Sequence, residues 1–155
     1  MIGNDLVDLQ QAVRDSNWMR KGFLNKLFNA NEQQYIMLAS RPQEMVWLLW
    51  SMKEAAYKID NKQSGIREFA PLKLACKLVR IREGHTEGQV TTSDRVYFTR
   101  TTIKASDHIH TIAAALYESL GSITSVLTST SLADHHKQSS AACRSHHGRY
   151  LALIF

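Results

Sequence analysis

The longest hydrophobic pattern in the chain covers residues 42–59. Apolar residues recur there at every third or fourth position, which places them on one face of a helix about five turns long. These residues are Met45, Leu48, Leu49, Met52, Ala55, Ala56 and Ile59. Pro42 suits the first position of a helix, and Asn61 and Gly65 are stop signals. The pattern predicts a long helix with one buried face.

Shorter patterns predict the elements that precede this helix. Residues 1–9 alternate loosely between apolar and polar, which predicts a short strand, and a turn is expected near residues 15–17. Residues 20–28 carry apolar side chains at one-turn spacing and predict a short helix. A second short helix is predicted over 32–39, with Asn29 or Asn31 as its cap.

Beyond Pro71 the pattern changes to that of strands. Three segments rich in apolar, aromatic or β-branched residues predict an antiparallel meander: 72–82, 95–104 and 109–117. Gly84 and Gly88 are interpreted as bracketing a turn. Serine and threonine dominate residues 119–131, which predicts a loop, and residues 149–155 predict a closing strand.

This order of elements predicts an α+β fold, with a helical N-terminal half packed on an antiparallel sheet. The 155 residues suit a single domain, within which residues 119–145 are expected to be atypical or poorly ordered. A hydrophobic share of 44% is ordinary for a soluble globular protein.

Charge and cysteine content narrow the function classes. Nineteen Lys and Arg against 14 Asp and Glu give a net charge of +5, which favours an acidic partner such as a phosphorylated ligand, an acidic protein or nucleic acid. Two cysteines make no disulfide framework and show no zinc-finger spacing. Neither a signal peptide nor a membrane-spanning segment is evident, so a cytoplasmic location without membrane association is expected.

Two segments carry candidate chemistry. Trp50, Glu54 and Lys58 are four residues apart and share one face of the long helix, roughly opposite its apolar stripe. The alternative interpretation is an exposed Glu54–Lys58 ion pair worth about 0.3–0.5 kcal/mol. Near the N-terminus, Gly3-Asn4-Asp5 presents a carboxylate on a strand, whereas Asp8 falls on the opposite face of that strand.

Together the segments IGNDLVDL and WSMKEAAYK resemble the paired signature of the 4'-phosphopantetheinyl transferase superfamily. The resemblance implies an enzyme of the holo-acyl-carrier-protein synthase type, which transfers 4'-phosphopantetheine from coenzyme A to a serine of an apo acyl or peptidyl carrier protein. It further implies a Mg²⁺ ion held by Asp5 and Glu54 and bridging the pyrophosphate of coenzyme A. Lys58 would contact a phosphate, and Glu54 would take the serine proton directly or through a metal-bound water, so both are the expected catalytic residues. Lys53 is a poorer candidate because it lies about 100° further around the helix. The superfamily's single-domain members are often homotrimers. The resemblance therefore implies a homotrimer as one oligomeric state open to this chain.

A third segment, SHHGRY at residues 145–150, resembles the superfamily's C-terminal histidine motif in part. The resemblance implies that His146 contacts the 3'-phosphate of coenzyme A, with His147 and Arg149 nearby, although an ordinary turn is the alternative. Arg41 is a further candidate for a phosphate contact, with a solvated arginine as the alternative.

Other functions remain open on the sequence alone. The chain could be a degenerate superfamily member that binds coenzyme A without efficient transfer. A basic nucleic-acid-binding module is disfavoured because no dense Lys and Arg run is interleaved with aromatic residues, so no nucleic acid partner is expected. His108 and His110 have a spacing that can bind zinc, but the sequence predicts no third ligand. His135 and His136 are expected in a loop.

Overall fold

The computed structural model describes residues 1–131 and 140–155. Its helices are α1 (Leu9–Asp15), α2 (Phe23–Leu27), α3 (Ala30–Leu38) and α4 (Pro42–Ser64). Its strands are β1 (Ile2–Asp8), β2 (Ala75–Arg82), β3 (His85–Thr91), β4 (Val96–Lys104), β5 (His108–Ala114), β6 (Ser125–Ser129), β7 (Cys143–His147) and β8 (Tyr150–Ile154). Short 3₁₀ turns span Pro71–Lys73 and Tyr117–Gly121. The predicted loop around His135 and His136 lies outside the described residues.

The strands form two antiparallel sheets. The larger has the order β1-β5-β4-β3-β2, and the smaller has the order β6-β8-β7. The three segments of the predicted meander form β2, β4 and β5, but β3, which was not predicted, lies between β2 and β4. The N-terminal strand β1 closes one edge of the sheet against β5. The predicted α+β class, with helices packed on an antiparallel sheet, is confirmed. None of the helices in the described parts of the chain combines the length and apolarity needed to cross a membrane.

Helix α4 packs its apolar stripe on the larger sheet. Leu49, Met52 and Ile59 are completely buried in the main core. Gly3 allows β1 to approach this helix closely, because a Cβ atom at that position would collide with the carbonyl oxygen of Ala55. The helix ends at Gly65, which adopts the left-handed conformation that favours glycine, with φ of 74°. The absence of a side chain at Gly3 therefore brings the Asp5 strand against the Glu54 helix.

Helix α1 is an element that the sequence patterns did not predict. The Asp8 side chain accepts hydrogen bonds from the backbone N–H groups of Gln10 and Gln11 and caps this helix, which ends at Asp15, where the turn was expected. The prediction that Gly88 brackets a turn was wrong, because Gly88 lies inside β3. A Cβ atom there would lie 2.6 Å from Cε of Met52, so glycine makes room for the helix.

The prediction of a loop over residues 119–131 was also wrong. It contains the end of a 3₁₀ turn and strand β6, which pairs with β8 in register from Ser125–Ile154 to Ser129–Tyr150. The segment that precedes the predicted closing strand is strand β7, which pairs with the other side of β8. Both strands are polar and short, so pairing with apolar β8 supplies the order that their own sequence does not predict.

A buried ion pair joins α4 to the segments around it. The Nζ atom of Lys53 lies 2.8 Å from Oε2 of Glu32, and both side chains are fully buried. Lys53 also donates to the carbonyl oxygens of Leu27 and Pro71, at 2.8 and 2.7 Å. Glu32 accepts from the backbone N–H of Cys76 at 2.7 Å, so the pair links α2, α3, α4 and β2.

We predict that Glu32→Gln destabilises the protein strongly. The substitution leaves the Lys53 ammonium buried without a counter-charge, which typically costs about 3–5 kcal/mol. Urea denaturation would measure this change in the free energy of unfolding. The control is Arg41→Gln, which breaks an exposed ion pair with Glu44 and should cost at most about 1 kcal/mol. Equal losses in the two variants would contradict a central role for the buried pair.

Candidate active site

A cavity of about 290 Å³ lies where β1, α4 and the β7–β8 hairpin meet. Asp5 reaches it from β1 and Glu54 from α4, the two elements that meet at Gly3. His146 and His147 line it from β7, and the indole rings of Trp47 and Trp50 contribute to its wall. The structure thus brings together residues from all three sequence segments that predicted chemistry.

The carboxylate of Asp5 is buried beside two polar partners. Ser145 Oγ donates to its Oδ1 atom at 3.3 Å, and Lys58 Nζ lies 3.4 Å from the same oxygen. Burial raises the pKa of Asp5, and the positive charge of Lys58 offsets this effect only in part. Lys58 is fixed more tightly by the carbonyl oxygen of Asn4, at 2.6 Å.

Glu54 is the second carboxylate of the cavity, and we call Asp5 and Glu54 the acidic pair. Burial, followed by the negative charge of Asp5, raises the pKa of Glu54 to about 7. Among the described residues no side chain forms a hydrogen bond with Glu54, and Lys58 pairs with Asp5 instead. The exposed Glu54–Lys58 ion pair considered above is therefore not the arrangement in this structure. The acidic pair holds two like charges that repel each other in a partly buried site.

Lys53 and Glu54 are neighbours in sequence but face different environments. Lys53 points into the core toward Glu32, as described above, while Glu54 points into the cavity. The rotation of about 100° per residue along a helix separates them. Lys53 therefore serves the fold, which agrees with its lower ranking as a phosphate ligand.

His146 and His147, both in β7, differ in their hydrogen bonds. His147 Nδ1 accepts a hydrogen bond from the backbone N–H of Asp8 at 2.9 Å, which assigns the ring proton of neutral His147 to Nε2. That Nε2 atom lies 3.7 Å from Oδ2 of Asp15. His146 is exposed, and within residues 1–131 and 140–155 its side chain makes no hydrogen bond. His146 is thus available to a ligand at the rim of the cavity.

The other candidates lie elsewhere. Arg41 pairs with Glu44 at 3.1 Å and lines a separate cavity with it. His108 contacts Asp107 at 3.1 Å, and burial lowers the pKa of His110 to about 4.

The described residues contain no group of three or more His, Cys, Asp or Glu side chains suited to a metal ion. Asp8 stays on the strand face opposite Asp5, as expected, where it pairs with Arg149.

Comparison with known protein families identifies the superfamily. The sequence model of the 4'-phosphopantetheinyl transferase superfamily matches residues 1–113. The chain belongs to this superfamily. The match includes Asp5, Glu54 and Lys58 of the transferase domain and ends before the hairpin histidines. A comparison with curated proteins found no match.

Sequence reasoning missed Ser145, which accepts the backbone N–H of Leu6 at 3.1 Å and donates to Asp5. His147 was expected near the site, but its hydrogen bond with the N–H of Asp8 was not. Both residues lie in the SHHGRY segment, two residues apart, which is the spacing that places strand side chains on one face. Interpreting that segment as a strand would have found Ser145.

We predict that the acidic pair gives stability a distinctive pH dependence. Because the pKa of Glu54 is raised from 4.5 to about 7 on folding, its contribution to stability is complete below pH 4.5 and is lost as the pH rises through 7. The free energy of unfolding should therefore fall more between pH 5 and pH 8 in the wild type than in Glu54→Gln. Urea denaturation at both pH values provides the measurement. Glu44→Gln, on the same helix but outside the cavity, should follow the wild type, and parallel behaviour of all three proteins would contradict the prediction.

Proposed function

We propose that the protein transfers 4'-phosphopantetheine from coenzyme A to a serine of an apo acyl or peptidyl carrier protein, in a Mg²⁺-dependent reaction. Superfamily membership supports phosphopantetheinyl transfer in general. The observation that carries the specific proposal is the acidic pair, two carboxylates from separate elements in one cavity beside Lys58. Release of adenosine 3',5'-bisphosphate completes the reaction.

The residues of the cavity fit a magnesium ion. Mg²⁺ takes oxygen ligands and usually binds through one or two carboxylates together with substrate phosphates and water. Asp5 and Glu54 supply two such carboxylates, and their mutual repulsion is the condition that a divalent cation relieves. When bound, Mg²⁺ would neutralise charge on the pyrophosphate oxygens of coenzyme A.

Glu54 is the proposed proton acceptor. The serine oxygen of the carrier protein attacks the phosphorus of the phosphopantetheine group, and the bond between this phosphorus and the pyrophosphate bridging oxygen breaks. The serine proton passes to the Glu54 carboxylate, and adenosine 3',5'-bisphosphate leaves with the bonding electrons. Burial and the charge of Asp5 raise the pKa of Glu54 to about 7 in the absence of a cation, which favours proton uptake by this carboxylate. A bound Mg²⁺ ion would lower that pKa, so the proton would pass to Glu54 directly or through a metal-bound water.

Cationic groups would hold the anionic ends of coenzyme A. Lys58 lines a neighbouring cavity with Tyr57, but its ammonium group is bonded to the carbonyl oxygen of Asn4 and lies 3.4 Å from Oδ1 of Asp5, where it would contact a phosphate of the pyrophosphate. His146 is proposed to donate to the 3'-phosphate from the rim of the cavity. Arg41 is a weaker candidate phosphate ligand, because it pairs with Glu44 and contacts neither member of the acidic pair.

We predict that Glu54→Gln lowers the transfer rate by about 10²-fold to 10⁴-fold or more, the usual contribution of a general base. The measurement is mass spectrometry of apo carrier proteins incubated with coenzyme A and Mg²⁺. Mg²⁺ should also raise the melting temperature of the wild type at pH 8 but not that of Glu54→Gln. Glu44→Gln is the matched control because it removes a carboxylate from the same helix outside the cavity.

Two outcomes would contradict this proposal. Transfer by Glu54→Gln at the wild-type rate would remove Glu54 from the chemistry. Coenzyme A binding by the wild type, without transfer to any carrier protein in a broad panel, would instead identify a degenerate superfamily member.

The His146 assignment has a separate test. We predict that His146→Ala raises KM for coenzyme A about tenfold, the effect of losing one charge-assisted hydrogen bond, and hardly changes KM for 3'-dephospho-coenzyme A. His85→Ala, in β3 and away from the cavity, is the control. Equal losses on both substrates would dismiss the 3'-phosphate contact.

A further inference from the structure

Asp8 and Arg149 form an ion pair at the turn of the β7–β8 hairpin, which we call the clasp. The Nε and Nη2 atoms of Arg149 lie 2.8 and 2.9 Å from Oδ2 and Oδ1 of Asp8, a two-point ion pair. The backbone N–H of Arg149 donates to Oδ2 of Asp8 as well, at 2.9 Å. The Asp8 side chain is 1% exposed. Burial opposes its ionisation, but the hydrogen bonds from Arg149 outweigh burial and hold the pKa of Asp8 well below its usual value.

The clasp extends to a third segment. Arg149 Nη2 donates to Asp107 Oδ1 at 2.9 Å, and Tyr150 Oη donates to the same oxygen at 2.7 Å. Asp107 lies in the turn between β4 and β5, so the hairpin is tied to β1 and to this turn. Gly148 permits the close approach, since a Cβ atom there would lie 2.5 Å from Oδ2 of Asp8.

No ladder of backbone hydrogen bonds joins β7 to β1 in the described chain, because the two strands belong to different sheets. The contact between them is made by side chains: Ser145 Oγ accepts the N–H of Leu6, and His147 Nδ1 accepts the N–H of Asp8. Arg149 adds the ionic contact at the turn that follows His147. The placement of His146 beside Asp5 thus depends on how firmly this hairpin is held.

We propose that Asp8 and Arg149 are positioning residues that hold His146 at the rim of the cavity that contains Asp5 and Glu54. This inference rests on the proposed function, because it assigns the clasp to recognition of the 3'-phosphate of coenzyme A. The clasp holds the C-terminal end of β1, whereas β1 packs on α4 at Gly3 and Ala55, further along the strand. Lys58 also holds Asp5 from α4. Loosening the clasp is therefore expected to displace His146 more than the acidic pair.

The test uses Arg149→Gln, which removes the charge, Arg149→Lys, which retains it, and Asp8→Asn, which retains the helix-capping oxygen. The control is Arg95→Gln, which breaks a comparable exposed arginine contact, Arg95 to Asp60 at 3.1 Å, outside the cavity. Kinetics with coenzyme A and with 3'-dephospho-coenzyme A give KM and kcat for each variant. In parallel, ¹⁵N NMR of the histidine side chains reports whether His147 Nδ1 still accepts the N–H of Asp8.

We expect Arg149→Gln and Asp8→Asn to raise KM for coenzyme A about tenfold, since displacing a contact by about 1 Å can cost one to two orders of magnitude. KM for 3'-dephospho-coenzyme A and kcat should change little, Arg149→Lys should recover part of the loss, and Arg95→Gln should match the wild type. The His147 signals should shift in Arg149→Gln. Equal losses on both substrates, or no loss on either, would overturn the proposal.

The two readouts separate failure of the clasp from failure of the proposed function. If the wild type transfers nothing, the proposed function fails, and the NMR measurement still decides whether the clasp holds the hairpin. His147 signals identical in the wild type and in folded Arg149→Gln would overturn the clasp whatever the activity.

Discussion

The burial of one ammonium group constrains the helical half of this protein. Lys53 has no access to solvent, so its charge requires a counter-charge and hydrogen-bond acceptors inside the protein. Glu32 supplies the charge, and the carbonyl oxygens of Leu27 and Pro71 supply the remaining acceptors. The Glu32 carboxylate in turn accepts hydrogen bonds from the backbone N–H groups of Asn29 and Cys76. These contacts fix where α2, α3 and the segment leading into β2 lie against α4.

The position of α4 also determines where Glu54 lies. Glu54 follows Lys53 directly but faces the other side of the helix, where β1 brings Asp5 to the same cavity. Gly3 sets the approach of β1, because any side chain there would collide with the backbone of α4. The cavity thus rests on a strand and a helix packed through the core, which suits a site that must hold two repelling carboxylates close together.

The hairpin side of the cavity is built differently. Strand β7 meets β1 through the side chains of Ser145 and His147 and through the contacts of Arg149 with Asp8 and Asp107. The acidic pair lies within the part of the chain that matches the superfamily, whereas the hairpin lies beyond it. The cavity therefore combines two carboxylates from the matched part of the chain with a rim formed by residues beyond it.

The sequence by itself determined the long helix, the first strand, three of the four strands from β2 to β5, and the residues of the acidic pair, because each depends on short-range periodicity or on a contiguous motif. Only the tertiary structure decided that residues 125–129 and 143–147 are strands, since their polar sequences become ordered by pairing with β8. It also decided that Lys58 pairs with Asp5 rather than Glu54, that Asp8 pairs with Arg149, and that Arg41 lies apart from the cavity. Partners distant in sequence are chosen by the packing of whole elements, and no local pattern along the chain records that choice.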